Sequence, residues 1–180
     1  LGLENTGIEY TKKGIVTDEL MRTNVPNIYA IGDVTGKMML AHVASFQGMR
    51  ALHTILGKED NIDFQVVPSS VFTVPECGMA GLTEAQCKEK GMSISTGTSF
   101  FRANGKALAL GEPEGLCKLI FRKEDGMLLG AHIMGVESAD LAQQCADMMN
   151  RNTTLTELVD TIFGHPTVSE VILSAAHAVK

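Results

Sequence analysis

The 180-residue sequence has no excess of positive charge; its formal net charge is -6. Nucleic acid and anionic membrane surfaces both demand a basic footprint, so neither is expected as a partner. No apolar run reaches spanning length, and no charged-then-apolar signal stretch stands at the start. The four cysteines, Cys77, Cys87, Cys117 and Cys145, make no Cys-x-x-Cys pair, which argues against a zinc cluster and against a built-in redox disulfide. They read instead as reduced, small hydrophobes in a cytoplasmic protein, with no metal site. Nothing repeats and no segment is low in complexity. The chain opens on Leu1 in mid-pattern, as a piece of a longer protein would. With 44% hydrophobic and 20% charged residues it is ordinary globular material, enough for one domain or one domain and part of another.

What is present concentrates first near the end. In Gly164-His165-Pro166-Thr167-Val168-Ser169-Glu170, proline fixes its own φ and pushes His165 out of the α region, so the imidazole is expected on a stiff stalk just outside a helix running to Lys180. Glu170, five residues on, is placed to turn back and orient it as a carboxylate orients a catalytic base. The same residues also read as plain helix punctuation. Thr167-x-x-Glu170 has the form of a capping box, stabilising by about 1 kcal/mol. Taken alone, the stretch leaves both readings open.

Along the chain, Gly7 to Thr17 reads as two short strands around Lys12-Lys13-Gly14. Ile28 to Ile31 is an apolar run of the kind buried on both faces of a parallel sheet, ending at Gly32-Asp33. Helical spacing follows through Leu40, Val43, Ala44, Gly48, Leu52, Ile55 and Leu56, with Gly57 as the stop. Ligands of open parallel sheets bind beyond the carboxyl ends of strands, where Asp33 would sit and where the next helix points its positive end. A carboxylate there suits a ribose or ribitol hydroxyl, and amides near Met39 to His42 suit an anionic oxygen; Gly-Asp after a strand is also often only a turn. His42 and His53 read as surface or packing histidines, and Met38, Met39, Met148 and Met149 as adaptable core.

A domain boundary is placed near Val66, giving segments 1–66 and 67–180. Beyond it the spacing predicts a strand over Val71 to Val74, a helix opened by Thr83-x-x-Gln86 and closed by Gly91, and a strand over Met92 to Phe101 followed by an Asn104-Gly105 turn. Cys117 to Arg122 and Met127 to Val136 form a hairpin through Asp125-Gly126. Three helices follow: one from Ser138 burying Leu141, Ala142, Cys145, Met148 and Met149, one capped by Thr154 with Glu157 and running through Ile162 and Phe163, and the one after His165 with Val168, Val171, Ile172, Ala175, Ala176 and Val179 on one side. Antiparallel strands with helices on one face make an α+β layer domain, preceded by the end of an α/β domain.

Two distant stretches then converge. Thr23-Asn24-Val25-Pro26-Asn27-Ile28-Tyr29-Ala30-Ile31-Gly32-Asp33 resembles the second flavin-binding motif of the flavin-dependent pyridine nucleotide-disulfide oxidoreductases. Gly164 to Glu170 resembles the signature of that family's C-terminal dimerisation domain, and the order and separation of the two are also the family's. Within it, Met39-Leu40-Ala41-His42, Ser169-Glu170-Val171-Ile172 and Ala175-Ala176 resemble the branch that oxidises dihydrolipoyl groups, whereas glutathione reductases usually differ at these places. The resemblance covers nearly the whole chain but only the last two-fifths or so of such an enzyme; the Gly-x-Gly-x-x-Gly of the adenine half of the flavin site, the redox cysteine pair and the nicotinamide-binding domain are not in this sequence.

The resemblance implies that segment 1–66 closes an FAD-binding domain and 67–180 is the dimerisation domain. Asp33 would bind the flavin ribitol, and the backbone of Met39, Leu40, Ala41 and His42 would line the flavin ring. His165 would be the general base for a dithiol, oriented by Glu170 and working in the other subunit's active site. The parent would use FAD and NAD as a homodimer serving a lipoyl-bearing protein of a 2-oxo acid dehydrogenase or glycine cleavage complex, while the fragment alone would bind FAD weakly or not at all and be inactive. Gln47, where many relatives are acidic, and Phe163-Gly164 depart from the family pattern. Two alternatives stand beside this: a stand-alone dimerisation module, and a fragment of a reductase acting on a different disulfide.

Overall fold

A computed structural model describes residues 2–180, in two compact units that divide between Phe64 and Gln65. In the first unit the expected paired strands do not form as strands. Residues 11–14 make a reciprocal turn between Thr11 and Gly14, and only one antiparallel bridge, Tyr10 with Ile15, flanks it. The run Ile28 to Ile31 is likewise reduced to one bridge, Arg22 with Tyr29, with Ile28 and Ile31 at the surface. A strand exists only where a neighbour continues the ladder, and these residues have none beyond the single bridge. Gly32–Thr35 is a tight 3-10 turn.

Helix α1, Ala41–Ile55, follows with Gly57 just beyond it at φ +65°. The expected apolar face is corrected: Val43, Gln47 and Ala51 are buried, while Leu52, Ile55 and Leu56 are exposed, as is Met39. An ion-pair clasp finishes the unit. Arg50 Nε donates to both carboxylate oxygens of Asp60 at 2.9 and 3.0 Å, its Nη1 to the Glu19 carbonyl at 3.2 Å and its Nη2 to the Ile62 carbonyl, with the guanidinium stacked over Phe64. His53, read from sequence as a surface or packing histidine, lies 3.3 Å from Asp60 Oδ2 through Nδ1.

The second unit is a five-stranded antiparallel sheet. Its strands are β1 (Ser69–Val71), β2 (Cys77–Gly81), β3 (Ile94–Phe100), β4 (Leu116–Arg122) and β5 (Leu128–Met134), in spatial order β1-β2-β5-β4-β3. The helices are α2 (Glu84–Glu89), α3 (Gly105–Leu110), α4 (Ser138–Asn150), α5 (Leu155–Val159) and α6 (Glu170–His177). The β4–β5 hairpin turns at Gly126, φ +73°, and the capping boxes at Thr83/Gln86 and Thr154/Glu157 are both formed.

Register shows which face carries the helices. Gly78, Ile133, Cys117 and Ser99 stand opposite one another across four strands, so they share a face. The Ser138 carbonyl of α4 lies 2.1 Å from where a Cβ on Gly78 would be, and the Ala175 carbonyl of α6 lies 2.0 Å from one on Gly97, two residues from Ser99. Both helices therefore dock on that one face at distances only glycine permits. Beneath them Phe101, Phe121, Leu119, Leu158, Val171 and Ile172 are all but fully buried, each contributing about 1.5–3 kcal/mol. On the opposite face Lys118 reaches Glu84 of α2 at 2.6 Å.

Several expectations are corrected here. The strand placed at Val71 to Val74 is Ser69–Val71, and Val74, before a cis proline, is exposed. Asn104-Gly105 is not a simple turn: Asn104 caps α3, its side chain accepting from the Ala107 amide, because asparagine serves an N-cap as readily as a turn. Strand β2 had no sequence signal, since its two glycines argue against strand. Helix α5 ends at Val159, leaving Ile162 exposed. Finally, α6 spans Glu170–His177 rather than Thr167 to Lys180; i to i+3 bonds from Val171 to Val168 and from Ile172 to Ser169 make its approach a tight turn.

Candidate functional site

The polar groups singled out from sequence fall into two places, one in each unit. In the second unit the His165-Pro166 peptide is cis, and the imidazole is 77% exposed. Its Nδ1 lies 3.0 Å from Glu170 Oε1 and 3.3 Å from Oε2. Glu170 Oε2 also accepts from the Thr167 backbone N–H at 2.9 Å. The capping box is thus only half formed. The Thr167 hydroxyl donates back to the Gly164 carbonyl at 2.7 Å instead of accepting from the helix, because Glu170 is the first residue of α6 rather than its third.

Cap and orienter are one carboxylate with two donors. The Thr167 N–H, and after it the His165 ring, hold the Glu170 carboxyl below the usual carboxylate range. An ionised carboxylate has no proton to give, so the hydrogen between the two side chains belongs to Nδ1. In the neutral imidazole that leaves the lone pair on Nε2. The arrangement can accept a proton at Nε2 and stabilise the resulting cation through Nδ1.

In the first unit Asp33 lies exposed in the Gly32–Thr35 turn, with Gly32 at φ +68°. Met39 is 70% exposed, Leu40 is the extended residue before α1, and Ala41 and His42 are its first two residues, both exposed. Leu40, at its N-cap, makes no side-chain cap bond. What sequence reasoning missed is Gln47, noted only as a departure from an acidic pattern. It is 4% exposed, and its Oε1 accepts from the Gly32 N–H at 2.7 Å, tying the turn to α1. A polar residue on the inner face of an amphipathic helix was the available signal.

Among the described residues no cluster of three His, Cys, Asp or Glu side chains could hold a metal, and no helix is long and apolar enough to cross a membrane. Cys117 and Cys145 are buried and free, and burial pushes both thiols up, Cys145 to about 12.

This combination, an antiparallel layer domain that presents a carboxylate-held histidine after a region carrying a Gly-Asp turn with its carboxylate exposed, defines a class. Residues 67–176 match the pyridine nucleotide-disulphide oxidoreductase dimerisation domain, and residues 1–48 match the pyridine nucleotide-disulphide oxidoreductase domain. The chain belongs to the pyridine nucleotide-disulphide oxidoreductase family. Within it the chain is 46% identical to dihydrolipoyl dehydrogenase of Bacillus subtilis over 98% of its length, and 42% identical to that of Synechocystis over 96%. It spans 38% of each of those relatives and matches their C-terminal region. Among solved structures it is similar to LpdA of Mycobacterium tuberculosis (TM-score 0.88, 30% identity, 98% of this chain and 39% of that one). It is also similar to the HOCl-induced flavoprotein disulfide reductase RclA of Escherichia coli (TM-score 0.90, 30% identity, 100% and 42%).

Proposed function

We propose that this chain carries the general base and part of the flavin site of a cytoplasmic dihydrolipoyl dehydrogenase. The observation that carries the reading is the His165–Glu170 pair, with Nδ1 on the carboxylate at 3.0 Å and the imidazole exposed. A dithiol must lose a proton before it attacks a disulfide, because the thiolate is the nucleophile. Nε2 takes that proton, Glu170 stabilises the imidazolium, and the Thr167 N–H keeps Glu170 ionised for the task. Identity to dihydrolipoyl dehydrogenases above 40% favours a dihydrolipoyl group, presented by a lipoyl-bearing protein, as the dithiol.

Segment 1–66 fits the end of an FAD-binding domain. An exposed carboxylate at Asp33 suits ribitol hydroxyls, and the positive end of α1, with the backbone of Met39, Leu40, Ala41 and His42, suits the edge of a flavin ring. FAD, when bound, supplies a two-electron acceptor, with NAD as the final one. The chain's own part is to hold the ribitol at Asp33 and the proton at His165. As residues 67–176 match a dimerisation domain, the working enzyme is read as a homodimer, and the chain alone as inactive and weak in FAD binding.

The test is His165→Gln in a full-length enzyme containing this chain. Dithiol oxidation falls about a hundredfold to ten-thousandfold, the range for loss of a general base, with flavin content unchanged by absorbance. Near-normal turnover would reject the role.

A further inference from the structure

We propose that Asn104 is a positioning residue for the His165–Glu170 pair, a role that rests on the reading of His165 as a base. Asn104 is only 7% exposed and uses its whole side chain. Its Oδ1 accepts from the Ala107 N–H at 2.9 Å, capping α3. Its two Nδ2 protons face the other way, to the carbonyls of Thr167 at 3.1 Å and Val168 at 3.3 Å. Thr167 is the residue whose own N–H holds Glu170, so the chain of bonds runs Asn104 to Thr167 to Glu170 to His165.

A helix cap alone needs only the acceptor; the amide donors are surplus to that function and span 63 residues of sequence to Thr167. A second buried side chain on the same segment repeats the contact, Ser99 Oγ donating to the Val171 carbonyl at 2.6 Å. The β3–α3 segment therefore grips the backbone on both sides of Glu170. Without Asn104, the Thr167 carbonyl loses its side-chain donor, the Val168 carbonyl keeps the Val171 N–H alone, and Thr167 is free to shift its N–H away from the carboxylate.

Hydrogen exchange at individual amides, followed by NMR on this chain, separates cap from positioner. In Asn104→Asp the ionised carboxylate still accepts from Ala107 but turns lone pairs on both carbonyls; in Asn104→Ser a hydroxyl keeps the cap and lacks the reach. Both variants should leave Ala107 exchange within about threefold of wild type and speed Thr167 about tenfold, the effect of one or two lost hydrogen bonds. Unchanged Thr167 exchange overturns the proposal, as does parallel loss at Thr167 and Ala107. Should neither variant fold, the wild-type Asn104 carboxamide protons decide: slow exchange supports the grip, and exchange at the solvent rate overturns it. Exchange as expected alongside full turnover in His165→Gln would leave Asn104 holding the pair while removing the pair's role as a base.

Discussion

From Gln65 onward the chain buries one continuous apolar cluster running from Ala80 to Ala176, whereas the described residues of the unit ending at Phe64 close a small one around Ile8, Ile15 and Ala30. The later unit stands on layer packing, with α4 and α6 pressed to glycine contact on one face of a five-stranded sheet. The earlier one stands on polar fastenings: the Arg50–Asp60 clasp, the Gln47–Gly32 bond and Asn24, whose side chain bonds both Glu9 and Gly7. Each candidate site inherits the character of its unit. His165 is aimed by a packed scaffold, and Asp33 by a turn held from one buried amide.

The largest break in that contrast should come from Phe121→Ala. Phe121 has no exposed surface, and truncating such a side chain costs about 3–5 kcal/mol. Both tyrosines, Tyr10 and Tyr29, lie before Phe64 and there is no tryptophan, so tyrosine fluorescence reports the first unit alone. Denaturant unfolding followed by circular dichroism should show the loss, while the tyrosine transition moves far less. Equal shifts in both signals would show that the two units share one stability.

The contrast also explains what could be read from the sequence. Where apolar residues bury against partners inside these 180 residues, periodicity located them: Leu141, Ala142, Cys145 and Met149 on α4, and Val171, Ile172, Ala175 and Ala176 on α6, are buried as their spacing required. Turn chemistry located Gly126 and two capping boxes for the same local reason. Reading failed where a contact is long-range or a residue type has two uses. Strand β2 is glycine-rich because Ser138 lies against it, 60 residues on. Asn104 looked like a turn because its partners at Thr167 and Val168 are invisible locally. For the candidate site, the His165–Glu170 pairing was legible from a five-residue spacing; the inner-face position of Gln47 was legible too, but its partner, the Gly32 N–H 15 residues away, was not.

An intermediate effect should come from acid, and it should differ in cause between the units. The Arg50 guanidinium, opposed by partial burial and helped by the Ile62 N–H and His53, holds the Asp60 carboxyl below its usual range. A folded-state pKa below the unfolded one gives stability that is full above the unfolded value and lost as pH falls through the folded value. The first unit's tyrosine-detected midpoint should therefore drop as pH descends through and below the ordinary carboxylate range. Asp60→Asn should start lower at neutral pH and follow a flatter course. Parallel curves for the two proteins would remove the clasp from the account. Glu170 has the same sign in the second unit, but its first cause is the Thr167 N–H, so Asp60→Asn should leave its titration untouched.

The smallest effect is the most discriminating. Leu52 and Ile55 have the spacing of a core face yet are 53% and 60% exposed, so Leu52→Ser with Ile55→Ser should change the stability of this chain by no more than about 0.5 kcal/mol per site. A true core position would cost about 2–5 kcal/mol. The same double substitution placed in an enzyme of the relatives' full length meets a different surrounding, since this chain spans 38% of them. If the rest of an FAD-binding domain covers that face of α1, the loss there should rise towards the core range while the isolated chain stays unaffected. A core-sized loss in the isolated chain would instead mean that Leu52 and Ile55 already have partners within it, and that the first unit is better packed than its polar fastenings suggest.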